Sequence, residues 1–263
     1  MIVDYELMLW RAEWNHESPS LQSWDQCRKK EINCNPNGFS NMSKLRLLKV
    51  IKLLHHPQGL QYLPNELCFF EWFRYPLRSL PSQFPQSKIV EIKMSYRNIE
   101  RLWTGIKTLE KLRFINLNDS HNLIKTPDFT GVPNLESLTL EICTALVEVH
   151  PSIRFLKRLT LLNLKYCFRL ESLPSKLETE SLEILMLSSC PLVKEVPEFE
   201  VNMKHLSELW LDGTGIKELP KSCNHIEFSF EVEGPGLEVE ESGACFVYEK
   251  DVEIFAPVND QSI

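Results

Sequence analysis

The sequence lacks the short motifs and long apolar runs that mark many enzymes, metal sites and membrane proteins. It has no phosphate-binding Gly-x-x-x-x-Gly-Lys-Ser/Thr loop, no His-Glu-x-x-His, no Gly-x-Ser-x-Gly and no Cys-x-x-Cys pair. No apolar stretch reaches the ~18 residues of a membrane-spanning helix, and the net charge of -7 reflects no excess of basic residues. We therefore expect no catalysis, no cofactor, no metal and no small-molecule ligand, and neither nucleic acid nor a membrane as a partner.

The N-terminal residues also lack the basic flank of a secretory signal. Acidic Asp4 and Glu6 stand among the first apolar residues, whereas a signal peptide begins with a positively charged region. We expect an intracellular chain, cytoplasmic or nucleo-cytoplasmic. Its eight cysteines should then stay reduced, so no disulfide framework is inferred.

What the sequence does contain is an apolar pattern, Leu-x-x-Leu-x-Leu, that returns eight times. Successive starts are 22 to 24 residues apart, which is the spacing of leucine-rich repeats. The starts are Leu45, Leu67, Ile89, Leu112, Leu135, Leu159, Leu182 and Leu206. Within a unit, buried-type and polar residues alternate, as in Leu162-Asn163-Leu164, and this alternation predicts a short strand with one buried face. Because one unit cannot bury its leucines alone, we predict an α/β-class repeat solenoid of about eight units with a concave parallel β-sheet.

Proline recurs near the end of most units. It fixes φ and cannot donate a backbone hydrogen bond, so it favours an extended convex segment over a long convex helix. The residues concerned are Pro81, Pro127, Pro151, Pro174, Pro197 and Pro220.

Small residues form a column eight places after most starts. The turn that leaves each strand carries backbone groups that need inward partners, and a hydroxyl or thiol can supply one. Three of the members are cysteines separated by the repeat step, which favours a structural role over a metal site. The column contains Ser120, Cys143, Cys167, Cys190 and Thr214. Tyr75 and Arg97 are too large for it, so the first repeats are predicted to be irregular.

Both ends of the chain depart from the repeat. Residues 1–37 are interpreted as an N-terminal flank, in which the spacing of Leu7, Trp10 and Trp14 predicts a capping helix. Residues 38–222 hold the repeats. Residues 223–256 alternate apolar and polar side chains, which predicts a short antiparallel β segment, and residues 257–263 are a tail.

Positions two, four and six after each start should face solvent from the concave sheet. Exposed apolar residues in a row indicate an interface, but scattered apolar surface residues are also normal, and both interpretations stand. A further alternative is that the predicted strands at 226 to 248 fold back and cover Trp210. The candidate partner-binding residues are Phe73, Phe114, Leu161, Ile184, Met186, Trp210 and Asp212.

Several longer phrases resemble a known family. Gly38-Phe-Ser-Asn-Met-Ser-Lys-Leu-Arg-Leu-Leu48, Tyr75-Pro-Leu-Arg-Ser-Leu-Pro81 and Leu146-Val-Glu-Val-His-Pro-Ser-Ile153 are similar to the leucine-rich-repeat region of plant TIR-NB-LRR disease resistance proteins. The resemblance covers residues 37 to 220. His225-Ile-Glu-Phe-Ser-Phe-Glu-Val-Glu-Gly-Pro-Gly-Leu-Glu-Val239 resembles the end of the jelly-roll domain that follows the repeats in that family. This combination implies a truncated member, a splice product or a gene fragment.

The resemblance implies a protein partner and a role in recognition. In the family a TIR domain cleaves NAD and an NB-ARC domain switches between nucleotide states, but this sequence has no phosphate-binding loop. The first hypothesis is a module that binds a pathogen effector, or a host protein that an effector modifies, on the concave face. The alternative is a regulatory or autoinhibitory piece that binds an NB-ARC domain in cis or in trans through acidic side chains. Its candidates are Glu91, Glu141, Glu208 and Asp212. A surface-receptor ectodomain is disfavoured because the signal, the span and the Leu-x-Gly-x-Ile-Pro phrase are lacking.

Overall fold

The computed structural model describes residues 42–50, 63–95, 98–199 and 205–217. The predicted N-terminal cap, the β segment at 223–256 and the tail lie outside these ranges. Eight strands of the described part form one parallel sheet, and they follow one another in chain order. The strands are β1 Leu47–Val50, β2 Phe69–Phe73, β3 Glu91–Ser95, β4 Phe114–Asn116, β5 Ser137–Thr139, β6 Leu161–Asn163, β8 Ile184–Met186 and β10 Glu208–Trp210. The predicted parallel-sheet solenoid is therefore confirmed.

Each strand of the large sheet begins two residues after a predicted repeat start. The leucines of the repeat determine which side chains point inward. In the unit that starts at Leu159, the side chains of Leu159, Leu162 and Leu164 have no solvent exposure. The register keeps equivalent positions side by side, so that Leu161 pairs with Ile184 and Ile184 pairs with Glu208. The core is thus a continuous stack of apolar side chains along the solenoid.

The second repeat, which starts at Leu67, fills the same core with aromatic side chains. Tyr75 is fully buried and packs edge-on against Phe70 and Trp72, with ring centroids 6.0 and 5.6 Å apart. Phe84 packs against Phe70 in the same way at 5.5 Å. The hydroxyl of Tyr75 donates to the carbonyl of Ser79 at 3.2 Å, so a ring at this column position is accommodated where its neighbours are also rings. Arg97 lies outside the described residues.

A left-handed residue ends the strand region of nearly every repeat. It lies seven places after the start, and its amide donates to the next repeat, as Ile142 N does to Lys165 O at 2.9 Å and Tyr166 N does to Ser188 O at 2.9 Å. The φ values of these residues are between 59° and 66°. They are Arg74, Asp119, Ile142, Tyr166, Ser189 and Gly213. This conformation turns the chain from the sheet toward the convex side.

The convex side carries little regular structure. The described residues include no α-helix, and only one 3₁₀-helix, Pro151–Phe155, occurs among them. Two-residue strands β7 Lys176–Leu177 and β9 Glu198–Phe199 pair in parallel on this side. These observations agree with the prediction that the prolines favour an extended return segment.

Candidate protein-binding surface

The exposed side chains of the sheet lie in rows that cross the strands. We call the residues two places after each start the first row, and those four places after each start the second row. The first row contains Leu47, Phe69, Glu91, Phe114, Ser137, Leu161, Ile184 and Glu208. The second row contains Lys49, Glu71, Lys93, Asn116, Thr139, Asn163, Met186 and Trp210. The backbone register makes neighbours in a row adjacent in space.

Four of the sequence-predicted residues come together on adjacent strands. Leu161 on β6 and Ile184 on β8 are neighbours in the first row, and Met186 on β8 pairs with Trp210 on β10. Leu161, Ile184 and Met186 are half-buried, and the Trp210 side chain is 42% exposed. We call these four residues the C-terminal apolar cluster. It is a compact apolar area on the otherwise mixed face of the sheet.

The indole of Trp210 is held in place by two charged neighbours. Its Nε1 donates to Oε2 of Glu208 at 3.0 Å. The ammonium of Lys165 lies 4.9 Å from the centroid of the indole ring, which is within the range of a cation–π attraction. A Trp whose orientation is set before binding loses less rotamer entropy when a partner covers it, so the cluster is a pre-organised surface.

Phe114 and Phe73 do not belong to the cluster. Phe114 lies on β4 between Glu91 and Ser137, and the guanidinium of Arg113 is 5.3 Å from its ring centroid. Phe73 lies at the end of β2, where it is 41% exposed.

Phe69 is an exposed concave residue that the sequence reasoning missed. It lies on β2 in the first row, and 40% of its side chain is exposed. Its position two places after Leu67 was a sufficient signal. Phe69 and Phe73 are two separate exposed rings, because Glu71 lies between them on the same face of β2.

Polar side chains occupy the second row between these rings and the C-terminal apolar cluster. The carboxylate of Glu71 is shared by Lys49 at 2.9 Å and Lys93 at 3.7 Å, all three in the second row. Nearer the cluster, the amide of Asn163 donates to Oε2 of Glu141 at 3.3 Å. Because these polar groups bind one another, the C-terminal apolar cluster is the main continuous surface that this face offers to a partner's apolar side chains.

Asp212 is the one candidate partner-binding residue that the structure places in the interior. Its side chain is 7% exposed and accepts a hydrogen bond from the hydroxyl of Ser188 on the preceding repeat. The expectation that every side chain six places after a start faces solvent is therefore wrong here. The chain begins to turn inward at this position, where the main-chain oxygen of Asp212 also accepts from Ser189 N at 2.6 Å.

The small-residue column lies inside the turn. The thiols of Cys143, Cys167 and Cys190 donate to the carbonyls of Leu117, Leu140 and Leu164 on the preceding repeats, at 3.3, 3.2 and 3.1 Å. Ser120 is equally buried, but its hydroxyl has no partner. Thr214 is partly buried and donates to Leu211 O within its own repeat at 2.7 Å.

Burial also changes the acidity of the thiols. Desolvation raises the pKa of Cys143 to about 12. A hydrogen bond with Cys190, together with burial, raises the pKa of Cys167. The thiolate forms of Cys143 and Cys167 are therefore disfavoured at neutral pH.

Two further kinds of site find no support in the described part of the chain. No group of three or more His, Cys, Asp or Glu side chains there could hold a metal ion. None of the helices in that part is long and apolar enough to cross a membrane.

A parallel sheet with one strand for each repeat unit and leucines packed behind it defines the chain as a leucine-rich-repeat protein. The chain is homologous to part of the disease resistance proteins of plants. It is 40% identical over 198 residues to disease resistance protein RPP2A of Arabidopsis thaliana, and the alignment covers 73% of this chain and 15% of that protein. It is 36% identical over 199 residues to TMV resistance protein N of Nicotiana glutinosa, covering 76% of this chain and 17% of that protein. It is 37% identical over 217 residues to disease resistance protein RRS1 of A. thaliana, covering 78% of this chain and 15% of that protein.

These similarities confirm the family resemblance of the repeat region. The chain spans only 15 to 17% of the length of these three relatives. No protein-family model matches the chain.

Proposed function

We propose that the chain is a non-catalytic recognition module of plant innate immunity, which binds a protein through the C-terminal apolar cluster. The partner is a pathogen effector or a host protein that an effector has modified. The similarity to disease resistance proteins supports the role in immunity, and the exposed, pre-oriented Trp210 supports the place of binding. Under this proposal the module is intracellular and its partner is a protein.

The physical case for the cluster rests on the residues it contains. Binding energy in protein interfaces concentrates in a few side chains, and Trp is enriched among them. Here the half-buried Leu161, Ile184 and Met186 lie on the adjoining strands, so a partner that covers Trp210 also removes their apolar surface from water. Lys165 and Glu208 at the rim offer one charge of each sign to a partner's polar groups.

The alternative, binding of an NB-ARC domain through an acidic concave surface, is less well supported. Glu141 accepts from Asn163 and Glu208 accepts from Trp210, while Asp212 is buried. Glu91 is the remaining acidic candidate of the four. An acidic attraction strong enough to select a basic domain would need more free carboxylates than this.

Replacement of Trp210 by Ala tests the proposal. Proteins captured from infected leaf tissue by the folded chain should be lost with Trp210→Ala and retained with Phe155→Ala, an equally drastic truncation of an exposed ring on the convex side. For a captured and purified partner, Trp210→Ala should cost at least about 2 kcal/mol, which is a Kd raised about 30-fold. A purified NB-ARC domain is titrated alongside.

Thermal melts of the three proteins accompany the binding measurements. If Trp210→Ala lowers the melting temperature and leaves partner affinity unchanged in the folded fraction, Trp210 is a packing residue and the proposed binding site is wrong. Tight binding of the NB-ARC domain alone would favour the alternative.

A further inference from the structure

A strip of basic and apolar side chains runs along one edge of the last repeats, outside the concave face. It lies on the segments that follow the left-handed turns, next to the buried Leu170, Val193 and Ile216. We call it the lateral strip, and it consists of Phe168, Arg169, Leu192, Lys194 and Lys217. Phe168 is 48% exposed and Leu192 is 44% exposed.

The last described residues lie directly on this strip. Gly215 N donates to Val193 O at 2.9 Å, and a Cβ placed on Gly215 would be 3.5 Å from Cγ of Lys194. Lys217, two residues further on, is therefore close to Lys194. The described part of the chain ends with two lysines near each other on neighbouring repeats.

The basic side chains of the strip take part in none of the ion pairs between neighbouring described repeats. Elsewhere, neighbouring repeats place opposite charges together, as in Lys125 with Glu148 at 2.5 Å and Lys157 with Glu180 at 3.3 Å. Arg169, Lys194 and Lys217 form no ion pair with a carboxylate of the described residues. The strip also carries one exposed carboxylate, because Glu171 follows the buried Leu170 as Lys194 follows the buried Val193. Lys194 and Lys217 carry like charges that repel each other, and with three cations to one carboxylate on the strip an acidic partner would lower the free energy.

The charge that would neutralise the strip is present in the same chain. Residues 218–263 contain eleven acidic and two basic residues, a net charge of -9, whereas residues 1–217 contain 25 acidic and 27 basic residues, a net charge of +2. The acidic part begins immediately after Lys217. Within it, Ile226, Phe228, Phe230 and Val232 alternate with Glu227, Ser229, Glu231 and Glu233, so acidic and apolar side chains occur together, as the strip requires.

We propose that residues 226–233 dock on the lateral strip, with their apolar side chains against Phe168 and Leu192 and their glutamates near Lys194 and Lys217. Nine residues from Lys217 to Ile226 span at most about 30 Å. Three neighbouring repeats extend over only about 10 Å, so the strip is within reach. The C-terminal apolar cluster is a poorer place for this segment, because Glu208 and Glu141 lie beside it and Lys165 already contacts Trp210. Docking on the strip leaves the concave face free, so this proposal does not depend on the proposed function.

The test uses the full chain and amide hydrogen exchange measured by mass spectrometry. Exchange of the 226–233 amides is expected to be roughly three- to tenfold faster in Lys194→Glu/Lys217→Glu than in the parent chain, since each lost ion pair is worth a few tenths to one kcal/mol. Lys111→Glu/Arg158→Glu is the matched control, because these exposed cations also form no ion pair with the described residues and lie away from the strip. The amides of Ser137–Thr139 on β5 serve as an internal standard of folding.

A charge swap and an apolar variant make the test specific. Adding Glu231→Lys/Glu233→Lys to the Lys194→Glu/Lys217→Glu chain should restore slow exchange at 226–233, and Phe168→Ser/Leu192→Ser should accelerate it. Equal exchange in the parent and the Lys194→Glu/Lys217→Glu chain, or an equal effect of the control pair, would overturn the proposal. Protection that disappears on dilution would also overturn it, because it would assign the contact to a second copy.

Discussion

At the scale of single residues, the thiols and the serine hydroxyl of the small-residue column differ in the hydrogen bonds that they form. Cys143, Cys167 and Cys190 each reach a carbonyl of the preceding repeat, whereas Ser120 in the same buried column reaches none. A C–S bond is longer than a C–O bond, so the sulfur covers a distance that the serine oxygen does not. A buried hydroxyl without a partner carries a desolvation cost.

We therefore expect Ser120→Cys to raise the stability by about 1 kcal/mol and Cys167→Ser to fold with a somewhat lower melting temperature. Cys167→Tyr should not fold stably, because its neighbours are leucines and cysteines, and overpacking costs about 1–3 kcal/mol or more. Circular dichroism melts of the three variants measure these effects. An unchanged melting temperature for Cys167→Tyr would contradict the small, buried column.

The raised pKa of Cys143 predicts a loss of stability in alkali. Burial raises the pKa of this thiol from its ordinary value of 9.0 to about 12 in the folded chain, so the folded state binds the proton more tightly than the unfolded state does. The contribution of the protonated thiol to the free energy of unfolding is complete below pH 9 and is lost as the pH rises toward 12. Urea titrations at about pH 8 and about pH 10.5 should show a smaller decrease for Cys143→Ser than for the parent. Parallel decreases in the two proteins would show that this thiol does not contribute.

At the scale of the elements, the strands and the turns differ in how far the sequence predicts them. Strand positions follow from the spacing of residues such as Leu159, Leu162 and Leu164, because only one register buries all three. The left-handed turns have no such signal. Of the six residues at these turns, Gly213 has no side chain and Asp119 is of a type that tolerates positive φ, while Ile142 and Tyr166 are not suited to it. The repeat geometry therefore imposes the conformation. The burial of Asp212 likewise has no signal in the sequence pattern, because it depends on Ser188 in another repeat.

The turn at Ile142 provides a direct measure of this strain. A β-branched residue at φ 60° is strained by about 1–2 kcal/mol, and Asn tolerates the conformation better. Ile142→Asn should be more stable than Ile124→Asn by about 1 kcal/mol, since Ile124 is an exposed isoleucine with ordinary φ. Chemical denaturation of both variants gives the difference, and equal free energies of unfolding would mean that the turn holds no such strain.

The equivalent turn of the last described repeat carries a glycine, and a substitution there should lower the stability. Gly213 has φ +66°, and an added Cβ would lie 3.2 Å from the Cα of Ser189. Gly213→Ala should therefore lower the free energy of unfolding by about 1 kcal/mol. An unchanged or raised value would show that the repeat relaxes around the methyl group at no cost.

At the scale of the whole molecule, the contacts run from each repeat to its neighbours. The ion pairs join residues one repeat apart, as in Arg113 with Glu136 at 2.6 Å and Arg154 with Glu178 at 2.5 Å. Backbone bonds follow the same rule, for example Leu140 N to Asn163 O at 2.8 Å and Leu164 N to Met186 O at 2.8 Å. Exposed ion pairs of this kind are each worth little, so the leucine stack supplies most of the stability. The proposed binding surface is one side of that stack, and its last strand, β10, is backed by the partly buried Leu209.

A change in one repeat should consequently act over a limited distance. Leu162 on β6 is fully buried, and Leu162→Ala should cost about 2–5 kcal/mol, whereas Leu161→Ala, the adjacent half-buried residue on the concave face, should cost much less. Because repeats interact mainly with their neighbours, amide exchange in Leu162→Ala should accelerate most in β5, β6 and β8 and least in β1 and β2. Hydrogen exchange resolved by strand measures this gradient. Uniform acceleration along all the strands would show that the solenoid unfolds as a single cooperative unit, and the binding surface would then share the stability of the most distant repeat.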